Sequence, residues 1–289
     1  MVRAEPPVTS RPTARQLRLV RRGGQGPGRL VMRYLVVAYV GVLVLVPVLL
    51  VGWHTFEHGL SPVWHALTDP DVEHAFEITG IASAISVVLN LVFGVGVSLL
   101  LVRSRFFGRR LLSLLIDLPL SVSPVVAGLA LILVYGSNGW FGTTLEGWGF
   151  QVIYALPGIV LATMFVSLPL VVREVVPVLE EVGIEQEQAA TTLGATGRQT
   201  FLRITLPSIK WAVAYGVVLA LARALGEFGA VKVVTAGGVA GSTQTVTSLV
   251  EQRYGNFDQL TAYAASFVLA AIAVLCLVVI TIIRPKERR

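Results

Sequence analysis

The chain has 289 residues, of which 54% are hydrophobic and 14% are charged. Soluble domains carry about 25% charged residues, so this composition excludes an ordinary soluble domain and indicates a membrane protein. The formal net charge is +6, but the Lys and Arg residues are gathered in a few segments. We therefore interpret them as signals of membrane topology and predict no binding to nucleic acid.

The first 30 residues are rich in Arg, Pro and Gly and show no apolar periodicity. They predict a disordered basic cytoplasmic tail whose arginines contact anionic membrane lipid. The apolar stretch that follows is too long for the core of a signal peptide and lacks a small-residue cleavage site. Residues 31–76 are therefore predicted to hold the first transmembrane helix and an outer loop.

Six apolar stretches are each long enough to cross a hydrocarbon core of about 30 Å, which takes about 20 residues of helix. They are continuous rather than alternating, which favours helices. The predicted spans are Tyr34 to Trp53, Ile78 to Val102, Leu111 to about Tyr135, Gly147 to Val172, Trp211 to about Thr235, and Leu260 to Ile283. The sequence thus predicts an all-α membrane protein with six transmembrane helices, whose transmembrane domain at 77–283 is followed by a basic cytoplasmic tail at 284–289.

The basic residues alternate between the predicted loops. They precede the first span, occur at 103–110, lie between the fourth and fifth spans, and follow the last span. Residues 54–77 and 136–150 contain none. Under the positive-inside rule, both termini and the loop between the fourth and fifth spans are predicted to be cytoplasmic.

Polar residues in and near the spans suggest few sites. His54 and His58 have the four-residue spacing that metal ligands use on a helix, but no cysteine accompanies them, and no metal site is predicted. The single Cys276 is expected to pack as a small apolar side chain. Asp117, in the third span, is expected to be hydrated or to pair with the arginines at 103–110.

The fifth span combines small and charged residues. Small side chains recur every four residues at Ala212, Gly216, Ala220 and Ala224, which predicts close packing against another helix. Arg223 and Glu227 follow at i and i+4, beyond the centre of the bilayer. A charged group there costs about 2.5 to 3.5 kcal/mol, so the two residues are interpreted either as a structural ion pair or as part of a translocation path.

The loop at 181–207, called the coupling loop below, leaves the apolar pattern and predicts two short helices separated at Gly194 to Gly197. Thr196 is a suitable N-cap for the second helix. Pro207 is expected in the first turn of the fifth span, where its missing N–H costs nothing. The apolar faces of the two helices predict a docking surface, and they consist of Ala189, Ala190, Leu193, Phe201, Leu202 and Ile204.

The coupling loop carries Gln188-Ala189-Ala190, then Gly194 after three residues, then Ile204-Thr-Leu206-Pro207 after nine more. This spacing resembles the EAA loop of ABC importer permeases, which implies a type I ABC importer permease fold and coupling to a separate ATPase. The resemblance assigns this coupling to Glu187, Gln188, Ala189, Ala190, Gly194, Ile204, Leu206 and Pro207. Gln188 stands where the family usually has Glu, and Glu187 or Glu185 is a candidate replacement for the missing charge.

Further segments resemble the W-type permease subunits of sulfate/thiosulfate importers, whose relatives transport molybdate. They are Asp117–Pro119, Ser123–Gly128, Tyr135–Gly139, Pro157–Phe165 and Ala222–Ala230. The resemblance implies three partners: a T-type permease subunit, an ATPase dimer and an extracytoplasmic sulfate-binding protein. It places the chain in the plasma membrane of a prokaryote and implies import of sulfate or thiosulfate, with molybdate or tungstate as the alternative.

The chain has no Gly-x4-Gly-Lys-Ser/Thr phosphate loop. It is therefore predicted not to be an enzyme by itself and to hold no cofactor, because ATP would be bound by the partner ATPase. Two other classes of function are weighed against this one. A gradient-driven secondary transporter would use an intramembrane carboxylate such as Glu227 for ion coupling, and a membrane scaffold would not transport at all. Neither accounts for the spacing of the coupling loop.

Overall fold

The computed structural model describes residues 27–238 and 242–283, so the predicted C-terminal tail and residues 1–26 of the predicted N-terminal tail lie outside the described residues. All regular secondary structure in the described part of the chain is helical. The helices are α1 (Pro27–Phe56), α2 (Leu60–Leu67), α3 (Pro70–Arg103), α4 (Arg109–Ser121), α5 (Pro124–Tyr135), α6 (Gly142–Gly147), α7 (Leu156–Val182), α8 (Glu185–Thr192), α9 (Gly197–Thr200), α10 (Leu206–Leu225), α11 (Gly229–Thr235), α12 (Val246–Gly255) and α13 (Gln259–Ile283).

Five helical segments of the described chain are long and apolar enough to cross a membrane. Four of them are α1, α3, α7 and α13, and the fifth runs from α9 through α10. Helices α4 and α5 add a sixth span only if they are counted together, because they meet at an angle of 116°. The predicted number of six spans therefore holds only if α4 and α5 are counted as one broken span.

The third predicted span, Leu111 to about Tyr135, consists of two helices in the structure. It is interrupted at Val122 and Ser123, which both have extended ψ angles, and Pro124 starts the next helix. A residue that precedes proline is driven out of the helical region, whereas proline itself suits the first turn of a helix. The Ser123-Pro124 sequence therefore ends one helix and begins another within one apolar stretch.

The fourth predicted span, Gly147 to Val172, begins too early and ends too early, since α7 covers Leu156–Val182. Before it, Gly149 and Tyr154 have positive φ angles of 77° and 62°, which no α-helix contains. At its other end, α7 continues past the charged residue Arg173. Apolar composition alone therefore marks the span but does not fix its limits.

Among the described residues, those from Val51 onward form one compact unit and those up to Leu50 form another. In the larger unit, α7 packs against α3 and α10 at glycines. A Cβ at Gly94 would lie 2.8 Å from Val171 Cγ1, and a Cβ at Gly216 would lie 3.0 Å from Val171 Cα. The close packing predicted for the small residues of the fifth span is confirmed, with Ala220 fully buried.

Polar side chains also join α3 to α7. The buried Asn90 donates from Nδ2 to Ser167 Oγ at 2.8 Å and to the Met164 carbonyl at 3.3 Å. Ser86, also on α3, donates to the Val160 carbonyl at 3.1 Å. Hydrogen bonds of this kind hold helices together in an apolar environment, where hydrophobic burial contributes little.

Candidate functional site

The coupling loop folds as its local sequence predicts. Helix α8 ends in a Schellman turn, in which the N–H of Gly194 binds the Thr191 carbonyl and the N–H of Ala195 binds the Ala190 carbonyl, both at 3.0 Å. Gly194 has φ +85°, a conformation that favours glycine. Thr196 then caps α9 through a capping box with Gln199. The predicted break at 194–197 and the predicted N-cap are both confirmed.

Pro207 is in the first turn of α10, as predicted, but no break precedes that helix. Helix α9, a π-helical turn at Phe201–Thr205 and α10 are continuous from Gly197 to Leu225, so Pro207 lies within a long helix. An internal proline normally breaks a helix because it lacks an N–H and its ring clashes with a carbonyl one turn earlier. The π-turn widens the helix here, with Leu206 N–H bonded to the Phe201 carbonyl. The second coupling helix is thus continuous with the transmembrane helix.

The loop presents apolar side chains to its surroundings. Leu193 is 88% exposed, Leu202 is 47% exposed and Ile184 is 43% exposed, and Ala189 is exposed beside them in sequence. Phe201, which was predicted to share this surface, packs instead against the cluster between α3, α7 and α10. The exposed face is therefore formed mainly by α8, the turn after it and Leu202.

Gln188 is exposed and lines a cavity of about 370 Å³ between α8 and the start of the long helix. Its carbonyl accepts the hydroxyls of Thr191 and Thr192 at 2.8 and 2.9 Å. Of the other residues assigned to coupling, Ala190, Ile204 and Leu206 are half-buried and Pro207 is exposed. The structure places all of them within the loop or the first turn of α10.

Glu187 is held by contacts within the chain. Its Oε1 accepts from Arg103 Nη2 at 3.1 Å and from Thr205 Oγ1 at 2.9 Å, and its Oε2 lies 3.0 Å from Arg103 Nε. Arg103 is the last residue of α3, and it also donates to the carbonyls of Leu179 at 3.1 Å and Gly183 at 2.7 Å. These carbonyls belong to the end of α7, where a cation also complements the helix dipole.

Sequence reasoning did not find the roles of Arg103 and Thr205. Arg103 was counted only as one of the basic residues at 103–110, and 84 positions separate it from Glu187. Its place at the end of an apolar span was the one available signal, because a basic residue there commonly binds terminal carbonyls. That signal names neither α7 nor Glu187 as the partner.

Arg223 and Glu227 form the predicted ion pair, with Nη1 and Oε2 2.7 Å apart. The predicted single helix through both residues is wrong, because α10 ends at Leu225 and α11 begins at Gly229. Glu227 lies in the break, and its Oε1 accepts the N–H of Ala230 in the first turn of α11 at 3.0 Å. A carboxylate that satisfies a free N–H at a helix start stabilises that start, which gives the break a physical cause.

The two members of this pair differ in exposure. The Glu227 side chain is 2% exposed and the Arg223 side chain is 37% exposed. Helix α12 adjoins the break, since Thr247 donates to the Glu227 carbonyl at 2.8 Å. Nearby, Lys232 pairs with Glu251 of α12 and lies 5.2 Å from the Phe228 ring. The arrangement buries the anion and leaves part of the guanidinium accessible.

Other charged groups form two more clusters. Asp117 does not pair with the arginines at 103–110 but with Arg173 of α7, at 3.0 Å, and both side chains are about half exposed. Arg253 of α12 contacts Asp69, Asp71 and Asp258 at 3.1 to 3.4 Å. The second cluster ties α12 to the first turn of α3.

The described residues contain no group of three or more His, Cys, Asp or Glu side chains that could hold a metal ion. His54 stacks on Tyr263, with ring centroids 5.3 Å apart, and its Nδ1 lies 3.0 Å from Glu57 Oε2. These contacts account for His54 as a packing residue.

The chain is similar in sequence to membrane proteins of transport systems. Residues 81–289 match the family described as "Binding-protein-dependent transport system inner membrane component". The "Sulfate transport system permease protein CysW" of Synechocystis sp. is 46% identical over 259 residues, which is 88% of this chain and 94% of that protein. The "Sulfate transport system permease protein CysT" of Escherichia coli is 37% identical over 251 residues, or 87% and 90% of the two chains.

A solved structure shares the fold. It is the crystal structure of a bacterial alginate ABC transporter in complex with a periplasmic protein bound to an alginate pentasaccharide. One of its chains matches with a TM-score of 0.68 at 16% identity, over 95% of this chain and 98% of that one. The predicted ABC importer permease fold is confirmed. From its fold and its relatives, the chain belongs to the family of inner membrane components of binding-protein-dependent transport systems, as a multi-pass membrane protein.

Proposed function

We propose that this chain is the W-type permease subunit of an ATP-driven ABC importer that carries sulfate, and also thiosulfate, into the cell. The observation that carries the proposal is the 46% identity, over 88% of the chain, to a protein named as a sulfate transport permease. A second relative, at 37% identity, also has sulfate in its name. These relatives favour sulfate over molybdate or tungstate.

The importer would contain three kinds of partner. A T-type permease subunit is favoured because the chain resembles both CysW and CysT permeases. An extracytoplasmic sulfate-binding protein is favoured by the family description and by the periplasmic protein in the alginate transporter complex. ATP would be hydrolysed by a separate ATPase dimer, since this sequence has no phosphate-binding loop of the Gly-x4-Gly-Lys-Ser/Thr type.

The ATPase would dock on the coupling loop from the cytoplasm. Both termini would lie on the same side, because the Lys and Arg residues are concentrated in these segments. The exposed Leu193 and Leu202 supply apolar contact area, and Gln188 supplies an amide beside them. Small residues such as Ala189 would let the partner approach the backbone of α8 closely.

Arg223 would contact the oxyanion on its path, and Glu227 would hold it in position. A guanidinium has five N–H donors in a planar fork that suits tetrahedral oxyanions, so an ion pair through Nη1 leaves other donors for a ligand. The exposure of Arg223 and the burial of Glu227 support this division of roles. The pair would then be both structural and part of the path, which joins the two readings of the sequence.

Uptake of labelled sulfate in cells with and without this gene tests the substrate. We expect deletion to abolish uptake, the intact gene to restore it, and excess unlabelled thiosulfate to compete. Unchanged sulfate uptake in the deletion strain, together with impaired molybdate entry, would contradict the substrate while leaving a permease role.

Capture of the ATPase subunit by the purified chain tests the docking surface. Leu193→Glu places a charge on an 88% exposed apolar side chain, so we expect capture to fall at least tenfold without loss of folded protein. The matched control is Leu60→Glu in α2, where the leucine is 74% exposed and lies outside the loop. Equal capture by both variants would contradict docking at α8.

A further inference from the structure

The attachment of α8 to the transmembrane helices is concentrated at one ion pair. No side chain of α8 is fully buried, so the helix has little apolar packing to hold it in place. Glu187 is its best-covered charged group, with a side chain 21% exposed. A movement imposed on α8 must therefore pass mainly through Glu187 or along the backbone.

Arg103 connects Glu187 to two spans at once. Its Nη2 donates to Glu187 Oε1, its Nε lies 3.0 Å from Glu187 Oε2, and its Nη1 and Nη2 donate to the carbonyls of Leu179 and Gly183 at the end of α7. Arg103 itself ends α3, and its side chain is 16% exposed. A hydrogen bond between charged groups, as from Nη2 to Oε1, is roughly twice as strong as one between neutral groups.

Thr205 adds the third span. It is 4% exposed, lies in the π-helical turn, and donates to Glu187 Oε1 at 2.9 Å. The turn continues without a break into α10, which carries Arg223 further along the same helix. One carboxylate on α8 thus contacts the ends of α3 and α10 and, through Arg103, the end of α7.

We propose that Arg103, Glu187 and Thr205 form the link that transmits displacement of α8 to α3, α7 and α10, and that Glu187 acts within this chain and not on the ATPase. The inference rests on the proposed function, because it concerns an importer driven by an ATPase at α8. The three are positioning residues. Glu187 is thereby excluded as the replacement for the charge missing at Gln188.

A distance measurement tests the link independently of the transported ion. Spin labels at the exposed positions Thr192 and Lys210, in a Cys276→Ser background, report on α8 and α10 in the complex with its ATPase. We expect ATP to leave the label distance unchanged in the otherwise native chain and to shift or broaden it in Glu187→Gln. An ATP-dependent change in the native chain, or none in Glu187→Gln, would overturn the proposal. An absence of sulfate uptake by the native complex would contradict only the proposed substrate.

Transport stoichiometry in proteoliposomes supplies the second test. We expect Glu187→Gln and Arg103→Gln to retain the bound ATPase but to lower uptake per ATP hydrolysed at least tenfold. The double variant should lose no more than Arg103→Gln alone, since that variant already breaks the contact with Glu187. The assignment would be overturned if the losses of the two single variants multiplied in the double variant, or if Glu187→Gln released the ATPase.

Two further variants complete this test. Thr205→Val, which keeps the ion pair, should lower uptake per ATP only a few-fold, so it reports on the link even if Arg103→Gln fails to fold. The control is Glu180→Gln, which breaks an exposed ion pair of 3.9 Å between the last turn of α7 and Arg109 of α4. This control should leave the uptake per ATP hydrolysed unchanged. An equal loss in the control would overturn the specific role of Glu187.

Discussion

Two ion pairs of the same chemistry serve this chain in different ways. Arg103 and Glu187 join segments 84 residues apart, and both side chains are mostly covered, at 16% and 21% exposure. Arg223 and Glu227 are only four residues apart, and the arginine is 37% exposed while the carboxylate is 2% exposed. In the first pair the guanidinium is covered and donates three hydrogen bonds within the protein. In the second it is oriented but partly free.

The difference shows how a permease can use arginine for two purposes. A covered guanidinium that binds a carboxylate and two helix-end carbonyls makes a directional connection between helices. A half-exposed guanidinium held from one side can accept a ligand on the other. Exposure and the number of protein acceptors, rather than residue type, separate the connecting arginine from the arginine proposed to contact the ion.

The largest effect is expected at the buried carboxylate. Glu227→Ala removes the partner of Arg223 and the acceptor for the Ala230 N–H together. Arg223 is 37% exposed, so water solvates part of the charge left behind, and the stability cost comes mainly from the unsatisfied Ala230 N–H, at about 1 to 3 kcal/mol. Because Arg223 also loses the group that orients it, we expect uptake to fall to background and the thermal stability of the purified chain to drop. Glu227→Gln keeps an acceptor for Ala230 and should lose much less stability. Equal melting temperatures for the two variants would contradict the capping role.

Replacing each arginine by lysine distinguishes the roles of the two ion pairs. Arg103→Lys keeps the charge but cannot reach Glu187, Leu179 and Gly183 together. Loss of one charge-assisted hydrogen bond costs about 1.5 to 3 kcal/mol, which corresponds to a loss of roughly tenfold or more in uptake per ATP. Arg223→Lys, tested in the same proteoliposomes, should lose only a few-fold because a point charge still attracts an oxyanion. A larger loss of uptake per ATP in Arg223→Lys than in Arg103→Lys would contradict the roles assigned to the two arginines.

The features of the coupling loop that could be predicted are those set by local sequence patterns. The turn at Gly194 and the cap at Thr196 are set by residues within one helical turn of each other, and the spacing that carries the coupling loop is equally local. The pairing of Arg103 with Glu187 depends on how α3 and α7 end at the same level, which no single segment encodes. The contacts between segments were therefore the part that the sequence left open.

The break after α10 was missed for a different reason. Apolar residues continue through both α10 and α11, so composition predicted one span through Glu227. The helix ends because Glu227 binds the Ala230 N–H and because Thr247, which is far along the chain, donates to the Glu227 carbonyl. The charge itself was noticed in the sequence, but its role as a cap required knowledge of the fold.

Rigidity of the turn after α8 is expected to matter less than either ion pair. Gly194→Val places a β-branched residue at φ +85°, where an L-residue costs about 1 to 2 kcal/mol. We expect a several-fold loss of uptake per ATP, as a looser turn transmits less of the movement. Gly194→Asn, which tolerates this conformation, should retain most of the ratio. Equal losses in both would point to side-chain volume at the docking surface, since nothing lies within 4 Å of a Cβ at this position.

The smallest effect is expected at a third ion pair, which gives a baseline for the other two. Asp117 and Arg173 lie 3.0 Å apart with side chains 44% and 58% exposed, and the contact joins α4 to α7. Exposed pairs contribute about 0 to 1 kcal/mol, so Asp117→Asn should change the melting temperature little and uptake per ATP less than twofold. A loss as large as that of Glu187→Gln would mean that α4 also takes part in transmission. The connection would then extend beyond α3, α7 and α10 to the bend at Pro124.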